Sequence, residues 1–363
     1  TSGNGSSGAI GLLSGTHTYL LDGSGAYTAS AIYYDDKGRV VQTRSTNHLG
    51  GFDITYNALD FTGKPDKTYK THGINGASAT ITELYSYTYD KAQRLLTTTH
   101  QLNGGSTITL ATNAYDELGR AKTKTVGGTL DATNYSYNIR NWLTSISGSR
   151  FYEDLYYNTD PASLGSTLCY NGNISCIKWS IPADNLGADR AYKFYYDGLN
   201  RLLASQYREW VSGIGTVNGT IYDENMAYDK HGNIKSLVRF GLTGITNGHR
   251  NSSQIDFLGF TYNGNQLISK EYNHGSGDGC FYGDEEYFDR QNDYGLSGNF
   301  RAYDTNGNVT SDINDNVWGI QYNLLNLPDK IQFYQGHQDI YTYSASGVKL
   351  KVTYKTAPDG VVM

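Results

Sequence analysis

The densest carboxylate cluster in the chain is Asp284, Glu285 and Glu286, set between Phe281, Tyr282, Tyr287 and Phe288. A pair of carboxylates can cleave a glycoside when one protonates the leaving oxygen and the other attacks or activates water, and aromatic neighbours suit sugar stacking. Adjacent residues on a strand point to opposite faces, however, and no second cluster offers a partner. A solvated edge or loop is the better reading. Asp304-Thr305-Asn306-Gly307-Asn308 and Asp312-Ile313-Asn314-Asp315-Asn316 place oxygen ligands at alternate positions, as calcium loops do. Neither has the Gly and Glu spacing of an EF-hand, and Asp and Asn are also the preferred residues of type I turns. Turns are again the better reading.

The remaining reactive residue types are scattered. His17, His48, His72, His100, His231, His249, His274 and His337 show no metal-ligand spacing and no triad context. Gly213 to Gly215 and Gly275 to Gly277 lack the strand-to-helix setting and the Lys of a phosphate loop. Cys169 and Cys176 flank a short Asn-Gly-Asn hairpin, so one disulfide is open to them, with Cys280 left over. Trp142, Trp179, Trp210 and Trp318 fit either sugar platforms or inward core anchors, and the second is the stronger expectation because Trp142 directly follows a turn. No catalytic, cofactor or metal site is expected, and the chain reads as no enzyme.

The composition says what such residues are mounted on. There are 33 Tyr and 43 Gly but 2 Met and 5 Pro, and the apolar fraction is 38 %. Tyr suits a half-buried pleated surface, and Gly supplies the positive φ of tight turns. An all-β chain of many hairpins follows. A net charge of −6, with 29 basic residues spread along the chain, argues against nucleic acid as a partner. No apolar run reaches the roughly 20 residues of a membrane-spanning helix. With no signal peptide and no initiating Met, the sequence reads as a piece of a longer protein.

A repeated Tyr-Asp turn organises the whole length. Its clearest copies are Tyr34-Asp35-Asp36-Lys37-Gly38-Arg39, Tyr115-Asp116-Glu117-Leu118-Gly119-Arg120, Tyr196-Asp197-Gly198-Leu199-Asn200-Arg201, Tyr228-Asp229-Lys230-His231-Gly232-Asn233 and Tyr303-Asp304-Thr305-Asn306-Gly307-Asn308. Weaker copies start at Tyr89, Tyr137, Tyr322 and Tyr343, and variants at Asp60, Tyr170 and Tyr262. Asp after Tyr caps a type I turn, and the residue three later should be left-handed, as in a hairpin with a Gly bulge. That slot holds Gly38, Gly63, Gly119, Gly232, Gly307 and Gly347, or Asn141, Asn200 and Asn326, with Gln93 as the misfit. The flanks alternate as strands should, giving each hairpin an aromatic-aliphatic face and a polar face. Lone hairpins are marginal in water, so these must pair into a continuous sheet. The irregular intervals disfavour a propeller.

These units, Tyr115-Asp116-Glu117-Leu118-Gly119-Arg120 above all, resemble the Rhs or YD-repeat family of bacterial proteins from about Thr16 to Lys355. The resemblance implies a long spiral strip of antiparallel β-hairpins that walls a hollow shell around a C-terminal toxin or effector. It equally covers cell-surface proteins held to contact glycans. The family's core motif that closes the shell is missing from this sequence, and so is a toxin domain. The expected layout is a flexible segment over 1–15, a YD-repeat strip over 16–355 and a tail over 356–363. The expected role is structural: a shell segment encapsulating or displaying an effector, secreted or at the cell surface. The alternative is a glycan-binding or adhesive scaffold. Open strip edges imply edge-to-edge self-association.

Overall fold

The computed structural model describes residues 10–21, 23–75, 80–160, 164–182, 188–211, 215–217, 221–246, 249–272, 301–313 and 315–357. Every element among them is a β-strand, and every pairing is antiparallel. The chain divides into two units: residues up to Asp154 with Ile181–Ala183, and Leu155–Ser180 with Asp184 onward.

The first unit is a meander in which each strand pairs with the next. Its strands are β1 (Gly15–Tyr19), β2 (Tyr27–Tyr34), β3 (Val40–Thr46), β4 (Phe52–Leu59), β5 (Pro65–Gly73) and β6 (Thr80–Tyr89). They continue as β7 (Leu95–Leu102), β8 (Ile108–Tyr115), β9 (Ala121–Val126), β10 (Asp131–Tyr137), β11 (Leu143–Ser147) and the first residues of β12 (Tyr152–Tyr156), whose Leu155 and Tyr156 belong to the second unit. Thr-rich, Tyr-rich alternation with Gly or Asn punctuation is what a hairpin array needs, and no stretch has helical period. Among the described residues of this unit no apolar side chain is buried.

Both faces of this single layer carry aromatics. Register places Tyr19 opposite Tyr27, Tyr33 opposite Gln42, Gln42 opposite Tyr56 and Tyr56 opposite Tyr69, so these tyrosines share one face. Tyr85 sits opposite Thr68, one step over from Tyr69, and with Tyr87 it occupies the other face. The expected division into one aromatic and one polar face is therefore corrected. A layer covered on neither side gives no burial incentive to segregate them.

The second unit begins with β13 (Cys176–Ser180), β14 (Ala188–Tyr196), β15 (Leu202–Val211), β16 (Gly215–Val217), β17 (Glu224–Tyr228), β18 (Ile234–Thr246), β19 (His249–Asn263) and β20 (Gln266–Tyr272). β15 pairs with β16 along Glu209–Val211 and with β17 at Ala204 and Ser205. A separate six-stranded sheet follows: β21 (Arg301–Tyr303), β22 (Val309–Asp312), β23 (Val317–Tyr322), β24 (Pro328–Phe333), β25 (Gln338–Tyr343) and β26 (Lys349–Lys355). Among the described residues the continuous sheet expected over the whole repeat is thus two sheets. The apolar core lies in this unit, with Tyr157, Cys176, Ala191, Tyr207, Ile221, Leu258 and Val317 buried. Trp179 stacks on Tyr192 at 5.7 Å, and Tyr192 meets Tyr207 edge-on at 5.4 Å.

Candidate functional site: the column of Tyr-Asp turns

Each Tyr-Asp turn is built the same way. In the first copy Gly38 N–H donates to the Asp35 carbonyl at 3.1 Å, and Asp35 N–H donates to the Arg39 carbonyl at 2.9 Å. Asp35 Oδ1 accepts from the main-chain N–H of Lys37 and of Arg39, both at 2.9 Å, while Oδ2 accepts from Arg39 Nε at 2.6 Å. Asp90 with Arg94, Asp116 with Arg120 and Asp197 with Arg201 repeat the side-chain clamp at 2.6, 2.7 and 2.6 Å. At Asp229 and Asp304 an Asn four residues on replaces the Arg. The pairing register slips by one residue at the Tyr itself, at Tyr34, Tyr115, Tyr196, Tyr228 and Tyr303 among others. A bulge beside a type I turn is the geometry of a hairpin whose last loop residue is left-handed.

The left-handed slot is occupied as such in all ten copies. φ is +74° at Gly38, +83° at Gly119, +63° at Asn200, +91° at Gly232 and +87° at Gly307. Gln93 adopts +62° as well. Its residue type departs from the pattern, but its backbone does not. At Gly119 there is a second reason for glycine, since a Cβ there would lie 3.0 Å from Arg94 Nη1.

Two contacts that the sequence reading missed join most of these turns to a neighbour. The tyrosine hydroxyl reaches back to a carbonyl just past the left-handed residue of a preceding turn, two residues beyond it in most copies and three beyond Gly264 for Tyr303. Tyr89 donates to Pro65 O at 3.0 Å, Tyr115 to Leu95 O at 3.0 Å, Tyr196 to Ile174 O at 2.9 Å and Tyr228 to Leu202 O at 2.8 Å. Tyr262 donates to Ile234 O, Tyr303 to Leu267 O, Tyr322 to Val309 O and Tyr343 to Pro328 O, all within 2.8–2.9 Å. Tyr34 makes the equivalent bond to Leu13 O at 2.7 Å. Burial pushes the phenols of Tyr89, Tyr196, Tyr262 and Tyr322 up, which keeps them protonated donors.

The second contact runs forward from the basic residue of the turn. Arg94 lies 4.6 Å from the Tyr115 ring, Arg120 4.6 Å from Tyr137 and Arg201 4.7 Å from Tyr228. Arg39 Nη1 also donates to the Asp60 carbonyl at 3.2 Å, Arg201 Nη1 to the Asp229 carbonyl at 2.9 Å, and Lys64 Nζ to the Gln93 carbonyl. One neutral hydrogen bond contributes about 0.5–1.5 kcal/mol and one exposed cation–π contact about 0.5–1 kcal/mol. Small terms repeated turn after turn hold a one-layer sheet that has little core. The available signal was the cation four residues after Asp, in Arg39, Lys64, Arg94, Arg120 and Arg201.

The remaining candidates resolve individually. Asp304 spends Oδ1 on the N–H groups of Asn306 and Asn308 and Oδ2 on the Asn308 amide, which is turn chemistry. Among the described residues no group of His, Cys, Asp and Glu is arranged to hold a metal ion. His72 Nδ1 lies 2.5 Å from Asp53 Oδ1, and His17 stacks on Tyr27 at 4.9 Å. Cys169 and Cys176 are free thiols, so the bridge open to them is not formed. Trp318, expected as a core anchor, is instead 63 % exposed, with Tyr334 edge-on at 5.1 Å. The bulge between Val317 and Gly319 accounts for this, because it buries Val317 and leaves Trp318 outside the alternation. Trp142 is half-buried beneath Arg140 at 5.1 Å. Asp284, Glu285, Glu286, Cys280, His274, Asn314 and the glycines at 213, 275 and 277 lie outside the described residues.

The class this geometry defines is an antiparallel hairpin strip bound along its turns. A chain in the structure of the Photorhabdus luminescens Tc holotoxin pore with the TccC3-D651A mutation is similar to it, with a TM-score of 0.53 at 14 % identity. The match covers 93 % of this chain and 16 % of that one, so the present chain spans about a sixth of that chain's length. A TcdB2-TccC3 crystal structure gives a TM-score of 0.38 at 11 % identity, over 92 % of this chain and 20 % of that one. No family model matches the chain, and no curated protein does. The holotoxin likeness is one of fold: the long strip of β-hairpins that the YD-repeat resemblance implies.

Proposed function

We propose that this chain is a wall segment of an exported Rhs-like shell, structural rather than catalytic, which encloses an effector domain of its own parent polypeptide. The observation that carries this reading is the single-layer strip of the first unit, which buries no apolar side chain among its described residues. A sheet that keeps itself together through its turns rather than a core is free to present both faces. Tyr19, Tyr27, Tyr33, Tyr56 and Tyr69 stand exposed on one of them. Such a surface makes many weak amphipathic contacts and no deep pocket, which suits a wall against a loosely held polypeptide. The fold likeness to a holotoxin chain supports the same reading. Electron microscopy of the parent polypeptide tests it: a closed hollow particle with internal density is expected, and an open rod without a cavity would overturn it.

A second reading, a glycan-binding scaffold, draws on one observation. Exposed Trp318 borders a groove of about 350 Å³ lined also by Thr310, Gly319, Ile320, Gln321, Lys330 and Gln332. An aromatic face beside amide and hydroxyl groups suits a sugar ring. Binding of the soluble chain on a glycan array, lost in Trp318→Ala, is the result this reading requires.

A further inference from the structure

The tyrosine staples are interrupted between β3 and β4. The turn at Asp60 has Leu59 where the other turns have Tyr, so no phenol reaches the Val40 carbonyl, two residues past left-handed Gly38. That carbonyl receives Asn57 Nδ2 at 3.5 Å, the outer limit of a hydrogen bond. No tyrosine ring stands at this turn for Arg39 to cover; Arg39 joins the two turns through its 3.2 Å bond to the Asp60 carbonyl, and Lys37 Nζ lies 5.5 Å from the ring of exposed Phe61. On either side the staples are in place, with Tyr34 on Leu13 and Tyr89 on Pro65.

The opposite end of the same two strands is anchored. Asn47 Oδ1 caps the N–H groups of Leu49 and Gly51, and Asn47 Nδ2 donates to Gly73 O at 2.9 Å, tying the β3–β4 turn to the end of β5. Gly51 lies against that same carbonyl so closely that a Cβ would stand 1.9 Å from it. No described residue from Ile10 to Leu59 is buried, whereas Thr68 and Gly73 on β5 are. A pair of strands fixed at one end and weakly latched at the other opens from the latch.

We infer that strands β1, β2 and β3 form a flap, hinged at Asn47–Gly51 and latched chiefly by Arg39, which swings from β4 as one piece. Its own Tyr34 staple and the β1–β2–β3 ladder hold it together while the β3–β4 ladder parts. Within the proposed shell this seam is where the wall opens, and that use rests on the shell reading. The flap itself does not.

Residue-resolved hydrogen exchange on the chain in solution tests it. The β3 amides bonded to β4 should exchange as one block, faster than the β3 amides bonded to β2 and faster than the β6–β7 ladder. Leu59→Tyr, which supplies the missing phenol, should slow that block about tenfold, the effect of one added hydrogen bond of about 1.4 kcal/mol. Arg39→Gln should speed the block and leave β6–β7 unchanged, and it carries the test if Leu59→Tyr does not fold. Exchange graded from β1 inward would mean ordinary edge fraying and would overturn the flap. So would a β3–β4 block that Arg39→Gln leaves unaffected.

Discussion

The Tyr115 hydroxyl donates to the Leu95 carbonyl at 3.0 Å, twenty residues back along the chain and one hairpin away in space. Arg94, the neighbour of that carbonyl, covers the same tyrosine ring at 4.6 Å. One residue pair thus fastens a hairpin to its predecessor from both sides of the phenol. Removing the hydroxyl alone, in Tyr115→Phe, keeps the ring under Arg94 and leaves the Leu95 carbonyl one donor short. A loss of about 0.5–1.5 kcal/mol is expected, read as a lower urea midpoint at unchanged slope. Arg94→Met should add a separate decrement, since it strips the clamp on Asp90 as well as the ring contact. A Tyr115→Phe variant as stable as the parent would show that the staple contributes nothing.

The turns were legible in the sequence and the staples were not, for a physical reason. A turn is decided by residues within four positions, so Asp35 and Gly38 both leave a mark in residue type. A staple ends on a backbone carbonyl, which every residue possesses. Pro65, Leu95, Ile174 and Leu202 share an apolar type, which reads as strand packing and does not mark a carbonyl acceptor. The break into a second sheet before β21 was equally silent, because the Tyr303 turn there is as regular as any other. The exposure of Trp318 depends on a bulge at Val317 that periodicity does not reveal.

Gln93 stores strain. Its φ of +62° places a non-glycine, non-asparagine residue in the left-handed region, which costs roughly 1–2 kcal/mol. Gln93→Gly should relieve that cost, offset by about 0.5–1 kcal/mol of extra backbone entropy in the unfolded chain. A net gain of about 0.5–1 kcal/mol is expected, visible as a higher thermal midpoint. The Lys64 bond survives the change, since it ends on the main-chain carbonyl. Loss of the Thr62 contact to Gln93 Oε1, at 3.1 Å on an exposed turn, should subtract little. A lower midpoint would mean that the side chain matters more than the backbone.

The turn carboxylates should make the strip acid-labile. Asp35, Asp90 and Asp197 are held below their ordinary value, chiefly by the main-chain N–H of the Arg four residues on, against desolvation and with help from its guanidinium. A carboxylate whose folded pKa is depressed contributes stability above its unfolded value, near 3.8, and that contribution is lost as pH falls through the folded value. Thermal midpoints should therefore be flat from neutral pH to about 5 and drop steeply below 4. Asp197→Asn keeps an oxygen for Leu199 and Arg201, as Asn138 does for Arg140 and Trp142 in its own turn. It should flatten the acid limb without large loss at neutral pH. An unchanged acid limb would assign the pH dependence elsewhere.

The two described thiols should differ sharply in reactivity. Cys176 is fully buried where β13 begins, and burial, with the Asp160 charge adding to it, pushes its thiol up to about 12. Cys169 is half-buried, and burial raises it to a lesser degree. Only the thiolate alkylates, so native chain treated with iodoacetamide near pH 8 should label Cys169 first and leave Cys176 unmodified until the second unit opens. Peptide mapping by mass spectrometry distinguishes the two sites. Because the core containing Tyr157, Ala191 and Tyr207 must part to expose Cys176, its labelling rate in rising urea reports the opening of the second unit alone. Labelling of Cys176 in native buffer at a rate matching Cys169 would mean that this core opens far more readily than its packing implies.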